Sequence, residues 1–296
     1  MKAIDYVAPR TLPEAIRLLS ANAEKARVLA GGTDLIVQIR EQRRDVDILV
    51  DVKHIPELNE LSYDAGSGLR IGAAVPCYRL CEDSKLAAVF PGLIDAVGLV
   101  GGVQIQSRAS VGGNLCNASP AADTLPALIV HKATCVIAGP NGSREMPVES
   151  FCTAPGRTAL KPGELLAQLR LPPPPPNTGA HYLRFIPRNE MDIAVVGVAS
   201  LLTMDGKKSR CIAARIALAA VAPTPLVVPE AAAALVDGAF SEAMIERAAA
   251  AAQAAARPIS DMRGDADFRR HLVGVLTKRS ITGAIARARQ QSQGER

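Results

Sequence analysis

The sequence predicts an α+β fold made of two domains. Its 296 residues exceed what one compact hydrophobic core usually holds. Short apolar runs bounded by turn residues predict strands mixed with helices in the first part, and segments rich in alanine, leucine, arginine and glutamate predict helices near the end. Five consecutive prolines, residues 172–176, have no backbone N–H and favour an extended chain. We therefore place the domains at residues 1–176, with subdomains of about residues 1–55 and 56–176, and at residues 177–296.

Turn and capping residues locate the elements of the first domain. Thr11-Leu-Pro-Glu14 matches a capping box, so a helix is predicted over residues 12–20. A buried strand over residues 27–30 leads into Gly31-Gly32, and a further helix begins after Thr33 or Asp34. The remaining predictions are strands at residues 47–52, 69–75, 103–105, 133–138 and 164–171, helices at residues 78–102 and 125–130, and turns at residues 64–68 and 140–143.

The second domain is predicted to be a small sheet with a helical layer. Residues 181–187 and 193–203 have the apolar character of strands, although the second segment is also compatible with a buried helix. Asp205-Gly206 forms a turn before another apolar segment at residues 211–221. Helices are predicted at residues 230–236, 241–256 and 265–289, and residues 290–296 are expected to be a frayed end.

The composition is that of an ordinary globular protein, with 48% hydrophobic and 21% charged residues. No stretch offers about 18 apolar residues without charges or breakers, so we predict no membrane-spanning helix. Met1-Lys-Ala-Ile-Asp-Tyr6 lacks the apolar segment of a signal peptide, and a cytoplasmic location is expected. The net charge of +5 is dispersed and aromatic residues make up only 3% of the chain, which argues against a nucleic-acid-binding surface.

Cysteine and histidine patterns argue against a metal site in this chain. The six cysteines form no Cys-x-x-Cys pair, so we predict that they are buried structural residues and that the chain holds no metal and no iron–sulfur cluster. The four histidines lie outside every glycine-rich stretch and form no His-Glu-x-x-His motif. We therefore predict no catalytic residues in this chain. The residues concerned are Cys77, Cys81, Cys116, Cys135, Cys152, Cys211, His54, His131, His181 and His271.

Two glycine pairs carry the functional prediction. Residues 110–114, Ser-Val-Gly-Gly-Asn, place two residues without Cβ in succession, and we expect positive φ angles and a close approach of a ligand there. Downstream side chains add hydrogen-bond donors and one carboxylate, Asp123. Residues 30–34, Ala-Gly-Gly-Thr-Asp, repeat the pattern after an apolar run. Each pair alone is compatible with an ordinary turn, but two pairs together predict a two-sided binding site for a diphosphate.

Other nucleotide-binding motifs are missing from the sequence. The strand, glycine turn and helix around residues 27–40 lack the Gly-x-Gly-x-x-Gly of a Rossmann unit. Gly66-Ser-Gly68 is the nearest similar stretch, and its spacing to Gly72 does not match. No Walker lysine motif is present either. The two glycine segments, residues 30–34 and 110–114, therefore need a different explanation.

Together these motifs resemble those of the FAD-binding subunit of the xanthine dehydrogenase and carbon monoxide dehydrogenase family, the molybdenum hydroxylases. The resemblance covers nearly the whole chain. It implies a two-part FAD-binding domain of the vanillyl-alcohol-oxidase-like (PCMH) type, followed by a carbon monoxide dehydrogenase flavoprotein-like C-terminal domain. The further matching motifs are Ser119-Pro-Ala-Ala-Asp-Thr-Leu-Pro126, Gly156, Pro162-Gly-Glu-Leu-Leu166, Arg188-x-x-x-Asp-Ile-Ala194 and Asp261-x-Arg-Gly-x-x-x-Phe-Arg-Arg-His-Leu272.

The resemblance also assigns roles in binding non-covalent FAD. Asp123 would hold the ribose or ribityl hydroxyls, Leu166 and Arg184 would make further flavin contacts, and Val100 and Ile193 would enclose the isoalloxazine. From the sequence alone, plain core packing is the preferred explanation of Val100 and Ile193. The residues implied to surround the diphosphate are Arg27, Val28, Leu29, Ala30, Gly31, Gly32, Thr33, Asp34, Ser110, Val111, Gly112, Gly113 and Asn114.

The function implied by the resemblance is electron transfer within a larger enzyme. A large subunit would carry the molybdenum cofactor, a small subunit two [2Fe-2S] clusters, and this chain the FAD that passes electrons to NAD or another acceptor, in an (αβγ)2 assembly. One alternative is a free-standing FAD-dependent oxidoreductase of the same fold that acts on its own small substrate. Another is a basic interaction module without a cofactor, which would leave both glycine segments unexplained.

Overall fold

The structure, a computed structural model, describes residues 3–22, 24–236 and 240–290. Its internal contacts divide the chain into two compact units, each built from three stretches of sequence. Unit 1 comprises Met1–Arg79, Val103–Ala118 and Ala133–Pro173, and unit 2 comprises Leu80–Gly102, Ser119–Lys132 and Pro174–Arg296. The domain boundary between residues 176 and 177 remains a prediction from the sequence. Of the predicted frayed end, residues 291–296 lie outside the described residues.

A small parallel sheet begins unit 1. Its strands are β1 (Asp5–Val7), β2 (Ala26–Leu29) and β3 (Ile48–Asp51), in the order β1-β3-β2. Parallel strands need crossover connections, and the helices α1 (Leu12–Ala21) and α2 (Leu35–Arg40) supply them. This arrangement places the predicted first glycine segment directly between β2 and α2.

An antiparallel sheet forms the rest of unit 1. Its order is β4-β5-β10-β6-β7, which places β10 at the centre, and the strand is buried along almost its whole length. Unit 1 also contains a separate two-stranded ribbon and short helices. The first of these helices, α3 (Cys77–Cys81), begins in unit 1 and ends in unit 2. The elements are β4 (Leu61–Asp64), β5 (Gly68–Gly72), β6 (Thr134–Gly139), β7 (Gly142–Pro147), β8 (Cys152–Ala154), β9 (Arg157–Thr158), β10 (Leu165–Leu171), α3 (Cys77–Cys81), α6 (Val103–Gln106) and α7 (Val111–Asn117).

Unit 2 is a four-stranded antiparallel sheet packed against helices. The strand order is β11-β12-β13-β14, and β12 is buried on both faces, which explains why its sequence is mostly apolar. The last three helices share the hydrophobic core with β12 and β13. The elements are β11 (Thr178–Phe185), β12 (Val196–Met204), β13 (Cys211–Ala219), β14 (Leu226–Val227), α4 (Ser84–Val89), α5 (Pro91–Val97), α8 (Thr124–Val130), α9 (Pro229–Ala233), α10 (Glu242–Ala255) and α11 (Ala266–Gln290).

Most predicted elements are confirmed, and the errors have local causes. The predicted strand at residues 103–105 is wrong, since these residues form α6. An apolar-polar-apolar pattern of only three residues does not distinguish a strand from a helix. The single helix predicted over residues 78–102 is also wrong. Asp83 caps α4, with its carboxylate accepting from two backbone N–H groups, and Pro91 begins α5, so the chain makes three short helices there.

The described part of the chain contains neither a metal-binding cluster nor a membrane-spanning helix. All six cysteines are free thiols; Cys81 and Cys116 are half-buried and the other four are buried. Within residues 3–22, 24–236 and 240–290, no three His, Cys, Asp or Glu side chains are placed to hold a metal ion. No helix in this described part of the chain is long and apolar enough to cross a membrane.

Arg287 fastens the last helix to the sheet and α5 within unit 2. Its guanidinium donates to both carboxylate oxygens of Asp95, at 2.5 and 2.9 Å, and to the carbonyl of Ala180 at 2.7 Å. We expect Arg287→Met to lower the free energy of unfolding by about 1–3 kcal/mol, measured by urea denaturation. Lys278→Met is the control on the same helix, because its ion pair with Glu246 is roughly half exposed and is worth less than about 1 kcal/mol. Equal losses in both variants would contradict the role of Arg287.

Candidate functional site

The first glycine segment needs both of its glycines, for different reasons. A Cβ on Gly31 would lie 2.1 Å from the carbonyl oxygen of Arg108, so only glycine fits this contact. Gly32 has a φ of +76°, a left-handed conformation that other residues rarely adopt. Asp34 then forms the N-cap position of α2, without a side-chain cap. Within the described part of the chain, the N–H groups of Gly32, Thr33 and Asp34 donate to no other group.

The second glycine segment begins a helix. Ser110 is the N-cap of α7, and its Oγ accepts from the N–H of Gly113 at 3.0 Å. A Cβ on Gly112 would lie 2.5 Å from the carbonyl oxygen of Ala73, whereas a Cβ on Gly113 would meet only the Ser110 hydroxyl, at 3.0 Å. The expected positive φ at these two glycines is wrong: both have helical φ angles. Gly112 therefore serves packing, and Gly113 leaves open space.

The two glycine segments lie against each other within unit 1. The close neighbours of Gly31 are Arg108 and Ala109, the two residues before Ser110. A side-chain bond strengthens this link, since Gln38 in α2 donates to Asn117 in α7 at 2.8 Å. Peptide N–H groups without internal partners at the start of a helix attract anions. The arrangement therefore suits an extended anion such as a diphosphate.

A polar network next to the first glycine segment was not anticipated from the sequence. The ammonium of Lys53 donates to the carbonyl of Ala30 at 3.2 Å and to the carboxylate of Asp51 at 2.7 Å. Asp51 is only 2% exposed and also accepts from the hydroxyl of Tyr6. A carboxylate at the end of the buried strand β3 was the one signal in the sequence that could have revealed it.

Asp123 and Arg184 form a buried ion pair in unit 2. Arg184 Nη1 donates to Asp123 Oδ2 at 2.6 Å, and the hydroxyl of Tyr182 donates to Oδ1 at 2.8 Å. Burial raises the pKa of Asp123 to about 6, although Arg184 and Tyr182 both lower it, so the carboxylate is largely ionised at neutral pH. The buried Nε of Arg184 has no hydrogen-bond partner among the described residues. This leaves one donor of the pair available to a ligand.

The remaining predicted residues differ in exposure. Leu166 is buried in β10, and Val100 is buried with 9% of its surface exposed. Ile193 is 52% exposed and lies in an irregular stretch before β12. In β2, Leu29 is buried, Arg27 is half-buried, and Val28 is 36% exposed. Residues 27–34, 110–114 and Leu166 belong to unit 1, while Val100, Asp123, Arg184 and Ile193 belong to unit 2.

The residues present fit a flavin dinucleotide. Glycines that admit close approach and unpaired N–H groups suit its diphosphate, and the carboxylate of Asp123 has acceptor capacity for sugar hydroxyls. The unpaired Nε of Arg184 offers a buried donor to a polar group of the ligand. Val100 and Ile193 have apolar side chains, the kind that suits a flavin ring system.

Comparison with known proteins agrees with this chemistry. The family described as "FAD binding domain in molybdopterin dehydrogenase" matches residues 2–174, and "CO dehydrogenase flavoprotein C-terminal domain" matches residues 181–284. The chain is 32% identical to the xanthine dehydrogenase FAD-binding subunit of Escherichia coli O157:H7 over 285 residues, 96% of each protein. It is 35% identical to the carbon monoxide dehydrogenase medium chain of Afipia carboxidovorans over 288 residues, 97% of this chain and 98% of the relative.

Structural comparison gives the same family. The fold is similar to a chain of the carbon monoxide dehydrogenase from Hydrogenophaga pseudoflava that lacks the Mo-pyranopterin moiety of the molybdenum cofactor. The TM-score is 0.92 at 32% identity, over 97% of this chain and 98% of the other. The predicted α+β fold with an FAD-binding domain and a C-terminal domain is thereby confirmed. Because a family match spans more than half of the chain and relatives exceed 30% identity over nearly all of it, this protein belongs to the FAD-binding subunits of the xanthine and carbon monoxide dehydrogenases, the oxidoreductases of the molybdenum hydroxylase family.

Proposed function

We propose that this chain is the electron-transfer subunit of a cytoplasmic molybdenum hydroxylase. It would receive electrons from two [2Fe-2S] clusters of a small partner subunit, downstream of a molybdenum cofactor in a large partner subunit. NAD or another soluble acceptor would take the electrons, in an (αβγ)2 assembly. The observation that carries the proposal is the direct packing of residues 30–34 against the residues that lead into residues 110–114.

Different groups of the chain would bind different parts of FAD. Residues 27–34 and 110–114 would bind the diphosphate through backbone N–H groups, and Asp123 would accept from sugar hydroxyls. Leu166 and Arg184 would add further contacts, and Val100 and Ile193 would shield the ring from water. When bound, FAD supplies the chemistry, because its ring system takes up electrons singly and releases them as a pair. The chain itself positions the cofactor and needs no acid or base of its own.

Purification of the intact complex tests this proposal. The full chain, tagged at one end, is purified from cells that also produce its partner subunits. We expect it to retain a large molybdenum-containing subunit and a small iron–sulfur subunit, with flavin and iron–sulfur bands in the visible spectrum. A reducing substrate should bleach both sets of bands. A yellow chain that purifies alone and oxidises a small substrate by itself would contradict the proposal, as would a colourless chain that binds no added FAD.

The pKa of Asp123 predicts how FAD affinity depends on pH. Burial raises this pKa to about 6, and only the ionised carboxylate accepts hydrogen bonds at both oxygens. The dissociation constant for FAD should therefore be nearly constant above about pH 7 and should rise as the pH falls through about 6, approaching tenfold per unit below that value. Fluorescence titrations of the full chain from about pH 5 to about pH 8 measure this dependence. Asp123→Asn should bind more weakly and lose the dependence; a wild-type constant that does not change with pH would disprove the role of Asp123.

A further inference from the structure

A buried arginine in α11 organises the turn that precedes the helix. The side chain of Arg269 is only 4% exposed. Its Nη1 donates to the carbonyls of Val195 at 2.9 Å and Ala220 at 3.2 Å, and its Nη2 donates to Asp261 Oδ1 at 2.7 Å. An arginine with so many partners fixes the relative positions of the segments that supply them. One of these partners, Val195, ends the stretch that carries Ile193.

A second arginine extends the network to the same stretch. The Oδ1 atom of Asp261 also accepts from the backbone N–H of Arg263 at 2.8 Å, which sets the course of the turn. The Nε of Arg263 then lies 3.5 Å from Asp192 Oδ1. That same oxygen accepts from the N–H of Ile193 at 2.7 Å, and Arg188 pairs with the other carboxylate oxygen at 3.5 Å. The network therefore reaches the residue next to Ile193.

The stretch of residues 186–195, here called the covering segment, has little structure of its own. It contains no helix or strand, and Met191 has a φ of +53°. Ala194 and Val195 are buried at the end of the segment, whereas Ile193 is 52% exposed, so burial of its own side chain contributes little to its placement. Arg263 and Arg269 both provide long-range polar contacts to this segment.

We propose that Arg263 and Arg269 are positioning residues that hold the covering segment so that Ile193 shields the flavin ring. The inference rests on the proposed function, since it takes Ile193 as a flavin contact. This role would explain the Asp261-x-Arg-Gly motif and Arg269, although neither would contact the cofactor. Neither residue would take part in electron transfer itself.

Two measurements on the full chain test the positioning role, and the first needs no FAD. Hydrogen exchange of the amides in residues 188–194 reports local opening of the covering segment. Because a partly exposed ion pair contributes only modestly, Arg263→Met should speed this exchange about two- to fivefold. In the FAD-loaded chain, the constant for iodide quenching of flavin fluorescence should rise by a similar factor, about two- to fivefold. Arg263→Lys keeps the charge opposite Asp192 and should restore most of both values.

A matched control lies in the same unit. Arg210 makes a comparable pair with Asp205, at 3.9 Å, in the turn between β12 and β13. That turn follows the far end of a nine-residue strand, roughly 26 Å along the chain from the covering segment. Arg210→Met should leave the exchange of residues 188–194 and the iodide quenching unchanged.

The outcomes separate this inference from the proposed function. Faster exchange and stronger quenching in Arg263→Met alone support it. Unchanged exchange in Arg263→Met overturns it, whether or not FAD binds. Faster exchange with unchanged quenching also overturns it, because the segment would then move without exposing the ring. A wild-type chain that binds no FAD refutes the proposed function, while the exchange measurement still decides whether Arg263 holds the segment.

Discussion

Gly113→Val is expected to weaken FAD binding by about a hundredfold or more, which corresponds to about 2.8 kcal/mol. A Cβ at this position meets only the Ser110 hydroxyl, at 3.0 Å, and the backbone is helical, so the fold itself should tolerate the change. The added methyl groups would occupy the open space at the start of α7, where the diphosphate is proposed to bind. Measurement requires a fluorescence titration of the full chain with FAD, together with its thermal unfolding without FAD.

Two further glycines serve as comparisons for this variant. Gly206 lies in the turn between β12 and β13, where a Cβ would meet nothing within 4 Å. Gly206→Val should therefore change neither the affinity for FAD nor the unfolding temperature. Gly112→Ala places a Cβ 2.5 Å from the carbonyl oxygen of Ala73, so it should lower the unfolding temperature even without FAD. Wild-type affinity in Gly113→Val would show that the diphosphate does not bind at the start of α7.

Gly31→Ala is expected to cost unit 1 part of its stability as well as its FAD site. The new Cβ would lie 2.1 Å from the carbonyl oxygen of Arg108 and 2.9 Å from the backbone nitrogen of Ala109. Both neighbours are backbone atoms, so the two glycine segments must move apart. We expect a loss of about 1–3 kcal/mol in the free energy of unfolding, a typical cost of overpacking, and loss of measurable FAD binding.

Urea denaturation and FAD titration of the same preparation check this expectation. Gly206→Ala is the matched control, because its Cβ meets nothing within 4 Å and its φ is not in the left-handed region. Unchanged FAD affinity in a destabilised Gly31→Ala would show that the contact between the segments matters for folding but not for the cofactor. Unchanged stability would contradict the close packing itself.

Local signals in the sequence account for the correct predictions. Thr11 caps α1, and its Oγ1 accepts from the N–H of Glu14 at 3.4 Å, as the capping box indicated. The helix after Gly31-Gly32 and the hairpin of β6 and β7 likewise follow from turn residues. The predicted left-handed turn at residues 110–114 is wrong, because Ser110 is the N-cap of a helix that contains both glycines.

Long-range polar contacts could not be predicted in this way. Arg184 and Asp123 are 61 residues apart, and Arg269 and Val195 are 74 apart. No periodicity of the sequence relates such residues, because their distance depends on which strands pair and which helices cover them. The preferred core packing is confirmed for Val100, which is buried, and is wrong for Ile193, which is 52% exposed, for the same reason.

The sequence by itself determined most of the strands, helices and turns, because steric limits and capping bonds act between residues a few positions apart, and its motifs determined the family to which the protein belongs. Tertiary structure alone decided that Gly31 faces the backbone before Ser110, that Asp123 is paired with Arg184 and that Lys53 reaches Ala30. These contacts exist because strand pairing and helix packing bring distant residues within hydrogen-bonding distance.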